Sequence, residues 1–397
     1  MAALPVLPVL VATTATQSLT TLGALALAAV APRAANDLGV SAALIGYQVG
    51  AVYLGAMISA LFGGGLVRRL GPTRTSQLAL WLVAGGCVLS ASGTVGTLAA
   101  GAIVMGWGYG ITNPAASHLL ARLPTAGSMN LIFSIKQCGV PIGAVIAGLV
   151  MPPLTVASGW RSALLACAVA IAAFSVYLQR HRRSWDEDRD ASTPLLANPL
   201  GSLALMWNNR VLRWLALSSF LYSAVQLSLS GFLVTFLVAD IGVDLVHAGT
   251  VLAAAHTAGA AGRLAWGWLA DRLRSGTITL IANGCLGIVG ALATAAIAPD
   301  WPIAGIVAVA AIFGFSAIGW NGVFMAVIAR QAPRDIGAAT GASLFITYAG
   351  IVVGPAAFGE LHDRGGLSYA ACFALLAILT AIGVACLALA RRAVTRM

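Results

Sequence analysis

Apolar windows fall near residues 9–31, 43–66, 76–95, 97–121, 130–153, 161–180, 212–238, 246–270, 277–298, 302–329, 337–359 and 369–390, separated by short polar stretches. Each is close to the ~20 residues that a helix needs to cross the hydrocarbon core of a bilayer. The pattern therefore predicts an all-α membrane protein with twelve transmembrane helices. The first run lacks a basic leading region and is too long for a cleaved signal, so it reads as the first span. One connection is long and polar: Gln179 to Arg213, with Arg180-His181-Arg182-Arg183 followed by Asp186-Glu187-Asp188. It divides the chain into an N-terminal six-helix bundle (1–180), a cytoplasmic linker (181–209) and a C-terminal six-helix bundle (210–397).

Composition agrees with the pattern. Of 397 residues 59% are apolar and 9% charged, where a soluble domain carries roughly 25% charged residues. A soluble enzyme, a secreted disulfide scaffold and a disordered chain are excluded. The net charge of +10 does not point to nucleic acid, because the basic residues sit in short clusters between apolar runs. With both termini in the cytoplasm, seventeen arginines fall in inside segments and three, Arg33, Arg161 and Arg364, in outside loops. That asymmetry sets the orientation. The six cysteines lie in apolar runs without ligand spacing, so neither a metal nor another cofactor is expected.

The two halves repeat each other. Asp37-Leu-Gly-Val matches Asp240-Ile-Gly-Val at an offset of 203, which also aligns Gly46 with Gly249, Gly64 with Gly267 and Arg69-Leu70 with Arg272-Leu273. Asn113 and Arg122 align with Asn321 and Arg330 at an offset of 208. Both halves begin on the same side of the membrane, so the repeats are parallel, about a pseudo-twofold axis along the membrane normal.

The loop after the second span reads Gly64-Gly-Leu-Val-Arg68-Arg69-Leu70-Gly71, and its copy in the second half Gly267-Trp-Leu-Ala-Asp271-Arg272-Leu273-Arg274. Both resemble the G-x-x-x-D-R-x-G-R signature of the major facilitator superfamily of secondary transporters. The resemblance covers essentially the whole chain. It implies that Arg68, Arg69, Asp271 and Arg272 belong to a cytoplasmic gate latch. Arg68 stands where the family usually has aspartate, so the first latch must pair differently.

A charge at the bilayer centre costs roughly 2.5–3.5 kcal/mol or more unless it lines water or finds a partner. None of the twelve acidic residues lies inside a span. The cations left inside are Lys136 in the fifth span and Arg263 in the eighth, joined by His256. Lys136 is the only lysine in a chain with 21 arginines, and a compact ammonium differs from a guanidinium as a point charge. Arg263 suits a carboxylate because its planar fork donates two parallel hydrogen bonds. Its position is similar to the eighth-span cation of the monocarboxylate transporters and the oxalate/formate antiporter. The aspartate that accompanies it one turn earlier in the former is Gly259 here. His256 and its repeat mate Tyr53 are expected to face each other across a cavity, and Tyr348 to lie opposite Lys136. Gln17, Asn113, Tyr222, Gln226 and Asn321 complete the candidate substrate-binding set, on the first, fourth, seventh and tenth spans that line the path in the family.

Two functions compete. The first is secondary or facilitative transport of small organic anions, mono- or dicarboxylates, with protons or a counter-anion as the coupled species. The second is proton-driven export of drugs or other hydrophobic compounds, for which Gly139-Val-Pro141-Ile-Gly143 vaguely resembles a drug-antiporter glycine-proline motif. Against it, the fourth span has Ala102 where drug antiporters carry arginine, and no membrane carboxylate is available for a cationic cargo. An enzyme is not expected, since no acid/base or nucleophile constellation is present. The chain is read as a monomeric, multi-pass protein of a bacterial inner membrane.

Overall fold

The computed structural model describes residues 4–40, 42–124, 127–194 and 199–394. Twelve spans follow in order. They are α1 (Val6–Ala26), α2 (Ala42–Ala60, continued by Gly63–Leu70), α3 (Pro72–Ala91), α4 (Val95–Ala121), α5 (Met129–Gln137, continued by Gly139–Ser158) and α6 (Trp160–Leu178). The second six are α7 (Arg210–Ala239), α8 (Leu245–Arg272), α9 (Gly276–Ala295), α10 (Ile303–Ala317, continued by Asn321–Gln331), α11 (Ile336–Asp363) and α12 (Tyr369–Val394). Among the described residues nine of these are long and apolar enough to cross a membrane, and the bent α2 makes a tenth. The more polar α3 and α8, 20 and 28 residues long, complete the count.

Boundaries moved where prolines and glycines intervene. The first span stops at Ala26 and is followed by a separate short helix, Ala31–Leu38, with proline in its first turn. A 59° bend divides α2, and α5 breaks at Cys138. Pro141 lacks the N–H that would bond the Gln137 carbonyl four residues back, so the break sits where that bond is lost. The break in α10 covers residues 318–320 and contains Gly319.

The chain forms two compact units. Unit 1 comprises Met1–Thr125, Lys136–Leu205 and Ala332–Phe345; unit 2 comprises Ala126–Ile135, Met206–Gln331 and Ile346–Met397. The same helix pairs pack in each: α2 with α4 as α8 with α10, α3 with α4 as α9 with α10, and α3 with α6 as α9 with α12. The internal repeat is thus a repeat of packing as well as of sequence. Unit 2 is built on an apolar core that includes Phe236, Phe313, Phe358 and Phe373.

Candidate functional site

Within unit 1, Lys136 lies in the last turn of the first segment of α5 and is 2% exposed. Its Nζ donates to Gln17 Oε1 on α1 at 2.7 Å, to Asn113 Oδ1 on α4, and to Gln137 Oε1 at 3.4 Å. An ammonium has donors only, so it fixes the orientation of every amide it meets: the oxygens face inward and the NH2 groups face away. The Gln17 side chain is fully buried, and its Nε2 has no acceptor among the described residues. A positive charge and an unmet N–H donor therefore lie side by side. Tyr109, one turn before Asn113, meets Tyr53 edge to face at 5.9 Å. Of the candidates in this unit, the structure brings Lys136, Gln17 and Asn113 into one cluster. It adds Gln137, which spacing alone did not single out.

In unit 2 the candidates divide. Arg263 is 3% exposed, and its Nε donates to the Ile318 carbonyl at 3.2 Å. Ile318 is the C-cap of the first segment of α10, where unmet carbonyls and the negative end of the helix dipole favour a cation. Arg263 thus supports the broken helix, a task invisible in its sequence position. Trp320, in the same break, donates from Nε1 to Gln226 Oε1 at 3.0 Å, and Asn321 opens the segment that follows. Tyr222, another substrate-binding candidate, is buried and makes contacts to α9 and α10. Its hydroxyl donates to the Leu280 carbonyl of α9 at 3.1 Å, and its ring meets Trp320 edge to face at 5.7 Å. Tyr348 is buried on α11. His256 lies two turns before Arg263 on α8 and, unlike it, is exposed.

The loop signatures do different work in the two units. In unit 2, the Asp271 carboxylate accepts the backbone N–H groups of Asn130 (3.0 Å) and Leu131 (2.8 Å) at the start of α5, together with Asn130 Nδ2 (2.7 Å). Arg330 lies 3.7 Å from the same carboxylate. Gly267 permits this approach, since a Cβ there would stand 2.4 Å from Ser134 Oγ. In unit 1 the corresponding Gly64 lies against the start of α11, where a Cβ would stand 2.6 Å from the Ala338 backbone. Arg68 pairs with Asp335 at 3.4 Å, across the residue that precedes α11. Arg69 donates to the Thr193 carbonyl at 2.9 Å, and Arg272 lies over the Trp268 ring at 5.4 Å.

The segment after α6 is a strap rather than a free linker over residues 185–193. Asp186 accepts the N–H groups of Thr73 (2.7 Å) and Arg74 (3.3 Å) at the start of α3. Asp188 accepts from Arg122 at 2.9 Å and lies 2.6 Å from His118 Nε2. Asp190 donates its N–H to the Arg68 carbonyl at 2.7 Å. Arg122 is the repeat mate of Arg330. Where Arg330 has Asp271, Arg122 finds Arg68 in the signature position and takes its carboxylate from the strap. Burial pushes the Asp186 carboxyl up to about 6, against the hydrogen bonds from Thr73 that pull it down. Burial also acts to raise Asp188, but the hydrogen bond and charge of His118, together with Arg122, bring it below the usual carboxylate value.

Solved structures share the fold. The E. coli fucose:proton symporter FucP aligns over 97% of this chain and 98% of its own, with a TM-score of 0.76 at 17% identity. The human organic anion transporter MFSD10 aligns over 97% and 100%, with a TM-score of 0.77 at 16% identity. Among curated proteins, the 4-hydroxybenzoate transporter PcaK of Acinetobacter baylyi is 30% identical over 142 residues, 35% of this chain and 31% of that protein. The plastidic glucose transporter 4 of Arabidopsis thaliana is 30% identical over 141 residues, 34% of this chain and 25% of that protein. The matched stretch thus spans a third or less of either relative. The Major Facilitator Superfamily profile, by contrast, matches residues 13–355, and with two repeated six-helix halves and a loop signature in each, the chain belongs to the Major Facilitator Superfamily.

Proposed function

We propose that this protein is a secondary transporter of small organic anions, carboxylates foremost, working by alternating access. The observation that carries the reading is the Lys136 cluster. A buried ammonium held by the amide oxygens of Gln17, Asn113 and Gln137 stands beside the unmet Nε2 donor of Gln17. A carboxylate supplies two acceptor oxygens, one for Gln17 Nε2 and one that replaces the long 3.4 Å Gln137 contact at the ammonium with a charge-assisted bond. At an effective dielectric near 20, opposite unit charges ~4 Å apart attract by about 4 kcal/mol. An amine would instead bring donors to donors and a second positive charge. Arg263 adds a further intramembrane cation, and the acidic residues that the spans contain, Asp271, Glu360 and Asp363, lie only at the ends of α8 and α11.

Two of the similar proteins are named for anions, 4-hydroxybenzoate and organic anions, and two for the sugars glucose and fucose. Sugars therefore belong in the test. Purified protein is screened by thermal shift against mono- and dicarboxylates, isosteric amines, neutral amides and sugars. Carboxylates are expected to raise Tm through linkage to the folded state, and Lys136→Gln is expected to lose that rise. Stabilisation by sugars or by cationic drugs, with none from any carboxylate, overturns the reading.

A further inference from the structure

The chain just beyond α1 leaves one arginine without a carboxylate. Arg33 lies on the short helix Ala31–Leu38, and Asp37, one turn later on the same helix, is its natural partner. The Asp37 carboxylate turns to α6 instead, accepting from Trp160 Nε1 at 3.0 Å and pairing with Arg161 at 3.4 Å. Among the described residues Arg33 has no ion pair or hydrogen bond. It is also one of the three arginines that the charge asymmetry leaves outside, where basic residues are otherwise sparse.

Arg33 lines a cavity of about 440 Å³ together with Ala29, Val30, Pro152, Thr155 and Val156, all of them in unit 1. One wall is the tight helical turn Ala28–Val30 that follows α1. The other is the end of α5, where Pro152 and Pro153 interrupt the helix bonding. The lining is apolar apart from Arg33 and Thr155. Thr155 is 8% exposed, and its Oγ1 is buried without a partner among the described residues. Other threonines inside helices, Thr13, Thr16, Thr112 and Thr380, donate to the carbonyl one turn back at 2.7–3.0 Å. Thr155 forgoes that bond. A buried hydroxyl left unpaired is costly, and this one lines the same cavity as a cation that has no counter-ion.

We propose that this cavity is a binding site for an amphiphilic carboxylate, distinct from the Lys136 cluster and independent of the transport reading. The carboxylate pairs with the Arg33 guanidinium and accepts from the Thr155 hydroxyl, and its hydrocarbon part covers Val30, Pro152 and Val156. Two features favour this ligand over an inorganic anion or a phosphate group. The volume lies within the roughly 300–1,000 Å³ of small-molecule pockets and the walls are mostly apolar, so the ligand carries an apolar body. One guanidinium and one hydroxyl supply donors for two carboxylate oxygens, and the apolar lining offers nothing to the further oxygens of a phosphate. A guanidinium has donors only, so an amine or an alcohol of the same length gains no ion pair.

The test uses the full chain carrying Lys136→Gln, which removes the charge of the other cluster. Binding of radiolabelled hexanoate to the purified protein is measured by scintillation proximity. One saturable site is expected, competed by unlabelled hexanoate and not by hexylamine or hexanol. Adding Arg33→Gln is expected to weaken it about tenfold or more, and Thr155→Val about three- to tenfold. Thr155→Ser, which keeps the hydroxyl, is expected to retain the affinity. Arg33 is exposed and valine has nearly the volume of threonine, so both losses are readable in folded protein. In the chain without Lys136→Gln, the Arg33-dependent and Lys136-dependent fractions are read separately, and failure of one leaves the other standing. Equal affinity in Arg33→Gln, equal competition by hexylamine, or no saturable site overturns the proposal. Displacement of hexanoate when phosphatidylglycerol is added to phosphatidylcholine nanodiscs would give the site to a lipid phosphate and also overturns it.

Discussion

The Asp271 carboxylate lies 2.8 Å from the backbone nitrogen of Leu131, closing the N-terminus of α5 from 140 residues away in sequence. Its repeat mate Arg68 cannot do this for α11, because a guanidinium has no acceptor and would face the positive end of the helix dipole. The repeat keeps its geometry, with a glycine against each helix start, and changes its charges. Asp335 then serves Arg68, and Asp188 serves Arg122.

This difference predicts unequal costs. Asp271→Ala removes a cap that meets two backbone donors and leaves Arg330 without its carboxylate. It should destabilise by about 1–2 kcal/mol, the range for lost helix caps. Arg68→Ala removes an ion pair whose side chains are 60% and 41% exposed, and should cost less than ~1 kcal/mol. Thermal unfolding of the two variants in the same detergent checks the order. Equal losses would mean that the Asp271 cap contributes no more than a surface pair.

The spans, the repeat and the altered signature were legible in the sequence because each is a pattern along one helix or between aligned positions. What joins different helices was not. Nothing in the spacing of Gln17, Asn113 and Lys136 says that three helices bring them together, and only the residue types made them candidates. Tyr222 carried the same polar signature as Gln17, yet its hydroxyl is spent on the Leu280 carbonyl. The strap escaped notice because a hydrophilic segment after a span has the composition of a free linker. Its structure depends on Asp186 and Asp188 reaching donors on α3 and α4. The breaks in α5 and α10 were hidden inside continuous apolar runs. Pro141 was the available signal for the first.

The strap should respond to pH through Asp186. Burial, opposed by the Thr73 hydrogen bonds, raises its carboxyl from 3.8 to about 6 when it is docked on α3. The docked state thus binds the proton more tightly than the detached one. This contribution to docking is fully present below about pH 3.8, is lost as pH rises through about 6, and is flat above. Asp186→Asn cannot ionise, but its carbonyl still accepts from Thr73. The Tm difference between Asp186→Asn and the parent should therefore grow in the variant's favour from pH 5 to 7. A constant difference over that window would show that the carboxyl titrates at its ordinary value.

Asp188 holds the strap by charge. It joins Arg122 and His118, and its side chain is 23% exposed. Part of the interaction is therefore screened, and Asp188→Asn should weaken docking by about 1 kcal/mol. That corresponds to a roughly fivefold increase in the opened population. Trypsin cleavage in the arginine-rich segment 180–189, measured at low protease, reads this population directly. An unchanged cleavage rate would mean that the contacts of Asp186, Asp190 and Thr193 hold the strap without Asp188.

Lys136 provides the sharpest prediction about transport. Lys136→Ala removes the ammonium and leaves the inward-facing oxygens of Gln17 and Asn113 without their donor, so anion uptake into proteoliposomes should be abolished. The same variant is also destabilised by those orphaned acceptors, on the order of 1–3 kcal/mol, and loss of uptake alone would not separate the two effects. Lys136→Gln separates them, because its amide can donate to one of the oxygens without carrying charge. It should unfold closer to the parent than Lys136→Ala and still fail to take up carboxylates. Lys136→Arg keeps the charge but replaces a compact ammonium with a planar, more weakly hydrated fork, and should recover only part of the uptake. Uptake by Lys136→Gln at the parent's rate would remove the charge from the transport site and leave Lys136 as a buried cross-link between α1, α4 and α5.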